Sequence, residues 1–216
     1  DVTVYEKMLF GNKSEMDVIR GDITDNGALA KAVEGKDVVV HLAGIVGEGA
    51  CNLNKEYTVK TNYLATRNLA KLCDEKGIKL IFPSTASVYG ARADCLLDER
   101  SEVFPLSVYA ITKLAAEDAI KNNCRNYIIF RLGTLFGLSR RMRFDLVINR
   151  FIAMAASGEK ILVFGGSQFR PFVHVGDVAN VFVKALDSDK IGLFNLGGTN
   201  YRIIDASNLI AEKMNA

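Results

Sequence analysis

The sequence predicts an α/β fold, a doubly wound parallel sheet with helices on both faces. Two patterns carry this expectation. Short β-branched and aliphatic runs alternate with longer helical stretches, as repeated right-handed βαβ units require. The early runs are apolar at every residue rather than at alternate ones, as in VVVHL and LIF, which marks strands buried on both faces. No internal repeat, low-complexity stretch or sharp change of composition divides the chain.

Along the chain, strands are expected at Val2–Tyr5, Val18–Arg20, Val38–Leu42, Lys79–Phe82, Tyr127–Arg131, Leu162–Phe164, Phe172–Val175 and Leu193–Leu196. Helices are expected at Gly27–Val33, about Lys55–Lys76, Val108–Lys121, Phe144–Ala156, Asp177–Leu186 and Asp205–Lys213. In the third helix Leu114, Ala115, Ala119 and Ile120 recur at helical spacing. Gly77 follows the long second helix and predicts its stop. Ala91–Leu106 is polar, carries Asp94, Asp98, Glu99, Arg100 and Glu102, and lacks a period; it reads as an exposed loop beside a site.

Composition narrows the function classes. Of 216 residues, 49% are hydrophobic and 24% charged, the balance of a domain that buries a sizeable core. A net charge of +2 argues for neither nucleic-acid binding nor membrane adsorption. Cys51, Cys73, Cys95 and Cys124 form no CxxC pair, and the chain has 2 histidines. No metal site and no disulfide framework is therefore expected, and reduced thiols in a cytoplasmic protein are. No apolar run reaches the roughly 18 residues that a membrane span needs. No signal peptide is visible, although the first residue is Asp1 and an earlier removal stays open.

Candidate chemistry begins with Tyr109 and Lys113 in YAITK. One helical turn apart, they share a face. A phenol titrates near pH ~10 and is a poor base at neutrality, but a neighbouring ammonium favours the phenolate. Such a pair can take a proton from a substrate hydroxyl. The spacing alone is not diagnostic; a surface tyrosine beside a surface lysine would look the same. The context is LIFPSTASVYG, where a buried strand ends in Ser84, Thr85 and Ser87. Ligands of such folds bind outside the carboxyl ends of strands, although an ordinary hydroxyl-rich turn has the same composition. His41 and His174 lie in apolar runs and read as packed strand histidines, and Arg140, Arg141 and Arg143 as a solvated basic loop.

The collinear series GDITD, VVVHLAG, FPSTASVYG, PLSVYAITK, RLGTLFG, RPFVHVGDVA and FNLGG resembles the extended short-chain dehydrogenase/reductases, in particular the NAD-dependent epimerase/dehydratase group acting on sugar nucleotides. The resemblance covers almost the whole chain. It implies a Rossmann-like sheet with a small C-terminal substrate-binding lobe. The expected division is a NAD-binding domain over residues 1–143, then a mixed lobe over 144–216 interleaved with the end of the sheet. Nothing in the sequence matches the opening GxGxxG turn of such folds. The chain starts on what reads as the second strand, so roughly one βα unit (~25–30 residues) is expected upstream.

The resemblance implies roles residue by residue. Glu6, closing the first strand, would accept from the adenosine ribose hydroxyls and favour NAD over NADP. Asp22 and Ile23 would border the adenine; equally, Asp22 reads as a turn or helix-start aspartate. Leu42, Ala43 and Gly44 would lie along the dinucleotide, and Asn62 near its nicotinamide side. Thr85 matches the catalytic Ser/Thr, Tyr109 the base, and Lys113 its partner, which also holds the nicotinamide ribose. Arg170 matches an arginine that binds the substrate diphosphate, for which a guanidinium fork is suited. A homodimer through the Tyr–Lys helix and the long helix before it is also implied.

Two departures sharpen the activity. Dehydratases of this group resemble Thr-Asp-Glu where this chain reads Thr85-Ala86-Ser87. Neither Ala nor Ser supplies the acid or base of dehydration. Epimerases often carry an aromatic–Asn pair where this chain has Gly133-Thr134; Thr134 can still donate one hydrogen bond, and Gly133 is expected to leave space. The expectation is a nucleotide-sugar epimerase working at C4 through a transient 4-keto sugar. A ketosugar reductase, a non-catalytic dinucleotide sensor and a truncated inactive member remain alternatives.

Overall fold

The computed structural model describes residues 1–7, 17–92 and 96–215; Asp94 and Cys95 lie outside them. The chain runs β1 (Thr3–Glu6), β2 (Asp17–Arg20), α1 (Asn26–Ala32), β3 (Val38–Val40), α2 (Glu48–Leu53) and α3 (Lys55–Val59). A π-helical stretch, Lys60–Leu64, joins α3 to α4 (Ala65–Lys76). Next come β4 (Lys79–Thr85), a 3-10 turn at Ala86–Tyr89, α5 (Val108–Asn123), β5 (Tyr127–Leu132) and β6 (Thr134–Phe136). The chain continues through α6 (Val147–Ala156), β7 (Phe169–His174), α7 (Val175–Leu186), β8 (Gly192–Leu196), β9 (Asn200–Arg202) and α8 (Ile203–Met214).

The main sheet is parallel in the order β3-β4-β5-β8. Its central strand shows why every residue of LIF is apolar. Leu80 and Phe82 enter one core with Leu29 and Val33 beside α1, Leu69 and Cys73 of α4, and Ala116 and Ile120 of α5. Ile81 enters the opposite core with Ile128, Phe130, Ala185 and, across α7, Phe182. Each such side chain stabilises the fold by about 1.5–3 kcal/mol when fully buried. Helices thus cover both faces, as a doubly wound sheet requires. Gly77 ends α4 in the left-handed region (φ 68), and the N–H of Ile78 closes the turn onto Cys73 O at 2.8 Å; glycine suits this stop because it carries no Cβ.

Among the described residues, β1 and β2 form a separate parallel pair that shares no hydrogen-bonded ladder with β3. Tyr5 of β1 packs on the first core, and Lys36 Nζ donates to Thr3 Oγ1 at 2.9 Å. A third sheet, β6-β7-β9, sits with α6 and α8 around Ile148, Phe151, Phe172, Ile203 and Ala206.

Several elements differ from expectation. Leu162–Phe164 is not a strand. Ile161 and Val163 pack on the third sheet's core while Leu162 and Phe164 are exposed, so alternation reflects packing of an extended segment without a ladder. Gly165 and Gly166, at φ 77 and 91, then turn the chain. β6, β9 and α2 were not expected. β9 is exposed throughout and pairs antiparallel with β7, so backbone hydrogen bonds rather than side chains define it. Gly133 does not leave space: a Cβ there would lie 2.3 Å from Pro171 O, because β6 brings the chain against β7 at this point.

Candidate active site

α5 starts where the Ser107 hydroxyl accepts from the Ala110 N–H at 3.2 Å. This cap sets Tyr109 in the first turn, partly buried, and Lys113 one turn later, buried. Both sit beside the carboxyl end of β4. There Thr85 Oγ1 accepts from the Ser87 N–H at 3.1 Å and lies close enough to the Tyr109 phenol to favour its ionised form. Burial pushes the Tyr109 pKa up, and Cys51 adds to the rise, while Thr85 and Arg143 work against it. Lys113 Nζ stands 3.9 Å from the Phe82 ring centroid. Desolvation pulls its pKa down to about 7, opposed by Glu117 and Cys51.

The loop after β3 closes another side. The π-helical stretch carries Asn62, which is buried; such insertions recur at functional sites because they free backbone groups and re-aim side chains. The Asn62 amide accepts from Ile45 N at 2.8 Å and donates to Ile45 O at 2.9 Å. It also donates to Thr112 Oγ1 on α5 at 3.3 Å. Asn62 is therefore no solvated residue. It clamps the loop of Leu42, Ala43 and Gly44 to the helix of Tyr109 and Lys113. A Cβ on Gly44 would come within 3.2 Å of the same amide oxygen. Leu42 is 66% exposed and Ala43 packs on the first core.

In the separate β1-β2 pair, Glu6 closes β1 opposite Arg20. Asp22 accepts from Lys7 Nζ at 2.7 Å and from Thr24 N and Oγ1 at 2.9 Å each. Burial alone would raise its pKa, but these bonds outweigh it and hold the carboxyl well below the usual range. The aspartate that caps α1 is Asp25, not Asp22. Ile23 is buried in the first core.

Toward the C-terminal sheet, Thr134 opens β6 opposite Phe172, and Arg170 is exposed on β7 with Nη1 on Phe169 O at 3.2 Å. Two sequence readings change here. His174 is exposed, and its Nδ1 caps α7 by accepting from Gly176 N at 3.2 Å. Arg143 is no plain solvated cation. Its guanidinium acts on the Tyr109 phenol, a Cβ on Gly47 would lie 3.3 Å from its Nη2, and Asp145 holds it at 2.5 and 3.1 Å. Nothing in its local sequence distinguishes it from Arg140 or Arg141. His41, in contrast, is the buried strand-end histidine expected.

Residues 3–197 match a protein family described as the NAD dependent epimerase/dehydratase family. Among solved structures, MoeE5 in complex with UDP-glucose and NAD is 27% identical with a TM-score of 0.85, over 100% of this chain and 74% of that one. MoeE5 has also been solved with UDP-glucuronic acid and NAD, at a TM-score of 0.86. A UDP-N-acetylglucosamine 4-epimerase from Methanobrevibacter ruminantium M1, in complex with UDP-N-acetylmuramic acid, is 26% identical with a TM-score of 0.88, over 99% of this chain and 74% of that one. The UDP-glucose 4-epimerase of Thermotoga maritima shares the fold at 22% identity and a TM-score of 0.88, over 99% of this chain and 74% of that one.

Proposed function

The chain belongs to the NAD-dependent epimerase/dehydratase family, and on that premise we propose that it epimerises a nucleotide-diphosphate sugar, at C4, by transient oxidation. The observation that carries the reading is the meeting of the Tyr109 phenol with the Thr85 hydroxyl, beside the buried Lys113 ammonium, at the end of β4. Ala86 and Ser87 offer no carboxyl for dehydration.

The residues present fit NAD. A phenol and an ammonium at the strand ends match the diol of the nicotinamide ribose, the exposed Leu42 side chain offers an apolar wall, and Glu6 at the end of β1 suits the adenosine ribose. Asn62 holds the intervening loop, and Asp22 and Ile23 stand on the adenine side. NAD bound there would supply a hydride acceptor that gives the hydride back. The proton is handled by the chain itself. Tyr109 Oη, as phenolate, takes the hydrogen of the sugar 4-hydroxyl while Thr85 Oγ1 hydrogen-bonds the same oxygen. Lys113 stabilises the phenolate, and Arg143 adds positive potential. When the 4-keto sugar has turned over, Tyr109 Oη returns the proton. Arg170 and Thr134 are assigned to the diphosphate end of the substrate. MoeE5 and the Methanobrevibacter ruminantium epimerase were solved with UDP-linked ligands, which supports a UDP-sugar.

Tyr109→Phe in the intact protein tests the assignment. Loss of a positioned acid–base group lowers turnover about 10²–10⁴-fold; epimerisation at the wild-type rate would remove Tyr109 as the base. The same assay separates epimerase from reductase, because a reductase consumes reduced cofactor in proportion to product. The exposed apolar residues Ile111 on α5 (52%) and Val59 on α3 (39%) further support a homodimer through these helices.

A further inference from the structure

We propose that Glu117 is a positioning residue for the Tyr109–Lys113 pair: a buried carboxylate, fixed by Ser84 and Arg131, that locks α5 to the end of β4 and keeps Lys113 charged. This rests on the site assignment above.

Glu117 is 0% exposed and is, among the described residues, the one carboxylate counted as buried. It lies one turn beyond Lys113 on α5. Arg131 of β5 grips it with a fork: Nε to Oε1 at 3.0 Å and Nη2 to Oε2 at 2.7 Å. The Ser84 hydroxyl donates to Oε1 at 2.5 Å, and Lys121 Nζ approaches at 3.7 Å. Arg131 is itself buried, its guanidinium 4.8 Å over the Tyr89 ring.

Stability alone does not explain this arrangement. A buried ion pair is often no better for a fold than apolar residues of the same volume, since desolvation offsets the attraction. The location suggests a use. Ser84 directly precedes Thr85, the hydroxyl that acts on the phenol, so one strand end is tied to α5 at two levels. Lys113 is buried and its ammonium lies over a phenyl ring, surroundings that favour loss of its proton. The groups facing Lys113 are Glu117 from its own helix, Cys51 from α2 and His41 from the end of β3. His41 is neutral over the working range because burial lowers its pKa to about 3. Burial raises the Cys51 thiol pKa. Glu117 is thus the facing carboxylate, and it acts on Lys113 in the direction that favours the protonated amine.

A proton on Lys113 supports the Tyr109 phenolate, so activity fades as pH rises through the Lys113 pKa. Removing the Glu117 charge lowers that pKa. Glu117→Gln therefore moves the alkaline limb of the kcat profile to lower pH, by about one unit where a nearby opposite charge is lost. Glu117→Gln/Arg131→Gln removes both buried charges and leaves an amide pair; it moves the limb the same way even if the single variant fails to fold. Tyr109→Phe is measured alongside. An alkaline limb at its wild-type position in the folded double variant, in a protein that needs Tyr109, overturns the role of Glu117 alone. Full activity of Tyr109→Phe overturns the site assignment and this inference with it.

Discussion

His41 directly follows β3 and is buried against Phe82, at 5.4 Å between ring centroids. Thr66 Oγ1 donates to Asn62 O at 2.8 Å, so its lone pair faces His41 Nε2 at 2.9 Å, and that nitrogen carries the ring proton. Burial, with the Lys113 charge, lowers its pKa from 6.5 to about 3. The unfolded chain takes up a proton as pH falls below 6.5, while the folded one does not until about 3. Stability contributed by the neutral ring is therefore present above 6.5 and lost progressively below it. Urea midpoints are expected to fall across that window, and His41→Leu to flatten the decline. At this scale the meeting of Tyr109, Lys113 and Thr85 at one strand end was legible because a helix turn and a strand end fix their positions locally. Arg143 and Glu117 were not. Their partners, Tyr109, Ser84 and Arg131, come from distant segments, and a charge on a helix or loop is by default solvated.

Elements were legible where burial wrote a pattern and illegible where the backbone did the work. β4 and β5 carry side chains into cores on both faces, and their apolar runs show it. β6 is short and follows β5 after a single glycine, and β9 is polar; ladders with β7 hold both. α2 contains Gly49 and Asn52, weak helix formers, and is anchored by buried Cys51 and by Thr58 Oγ1 donating to Cys51 O at 3.1 Å. Two glycine substitutions test these origins in opposite directions. Gly133→Ala meets the Pro171 carbonyl and is expected to cost about 1–3 kcal/mol, as overpacking does. Gly49→Ala meets nothing within 4 Å and is expected to stabilise by about 0.5–1 kcal/mol through helix propensity. Denaturant midpoints of both read the difference.

Across the whole molecule, parallel strands direct their carboxyl ends to one side, and that side collects Tyr109, Thr85, Lys113, Asn62 and Arg143 from segments far apart in sequence. The same geometry leaves α3 and α5 with exposed apolar residues. If the proposed homodimer forms through these helices, Ile111→Glu is expected to leave a monomer in light scattering with little change in the melting midpoint, and an unchanged mass would contradict that interface. Among the described residues no helix is long and apolar enough to cross a membrane.

Ultraviolet difference titration of the NAD-loaded protein reads the central chemistry directly. Burial alone raises the Tyr109 pKa above 10.0; if Tyr109 is the base, the positive charges of bound NAD and of Lys113 reverse that rise, so the loaded wild type shows a phenolate forming below 10.0 and Tyr109→Phe lacks it. Identical difference spectra for the two proteins would contradict the assignment.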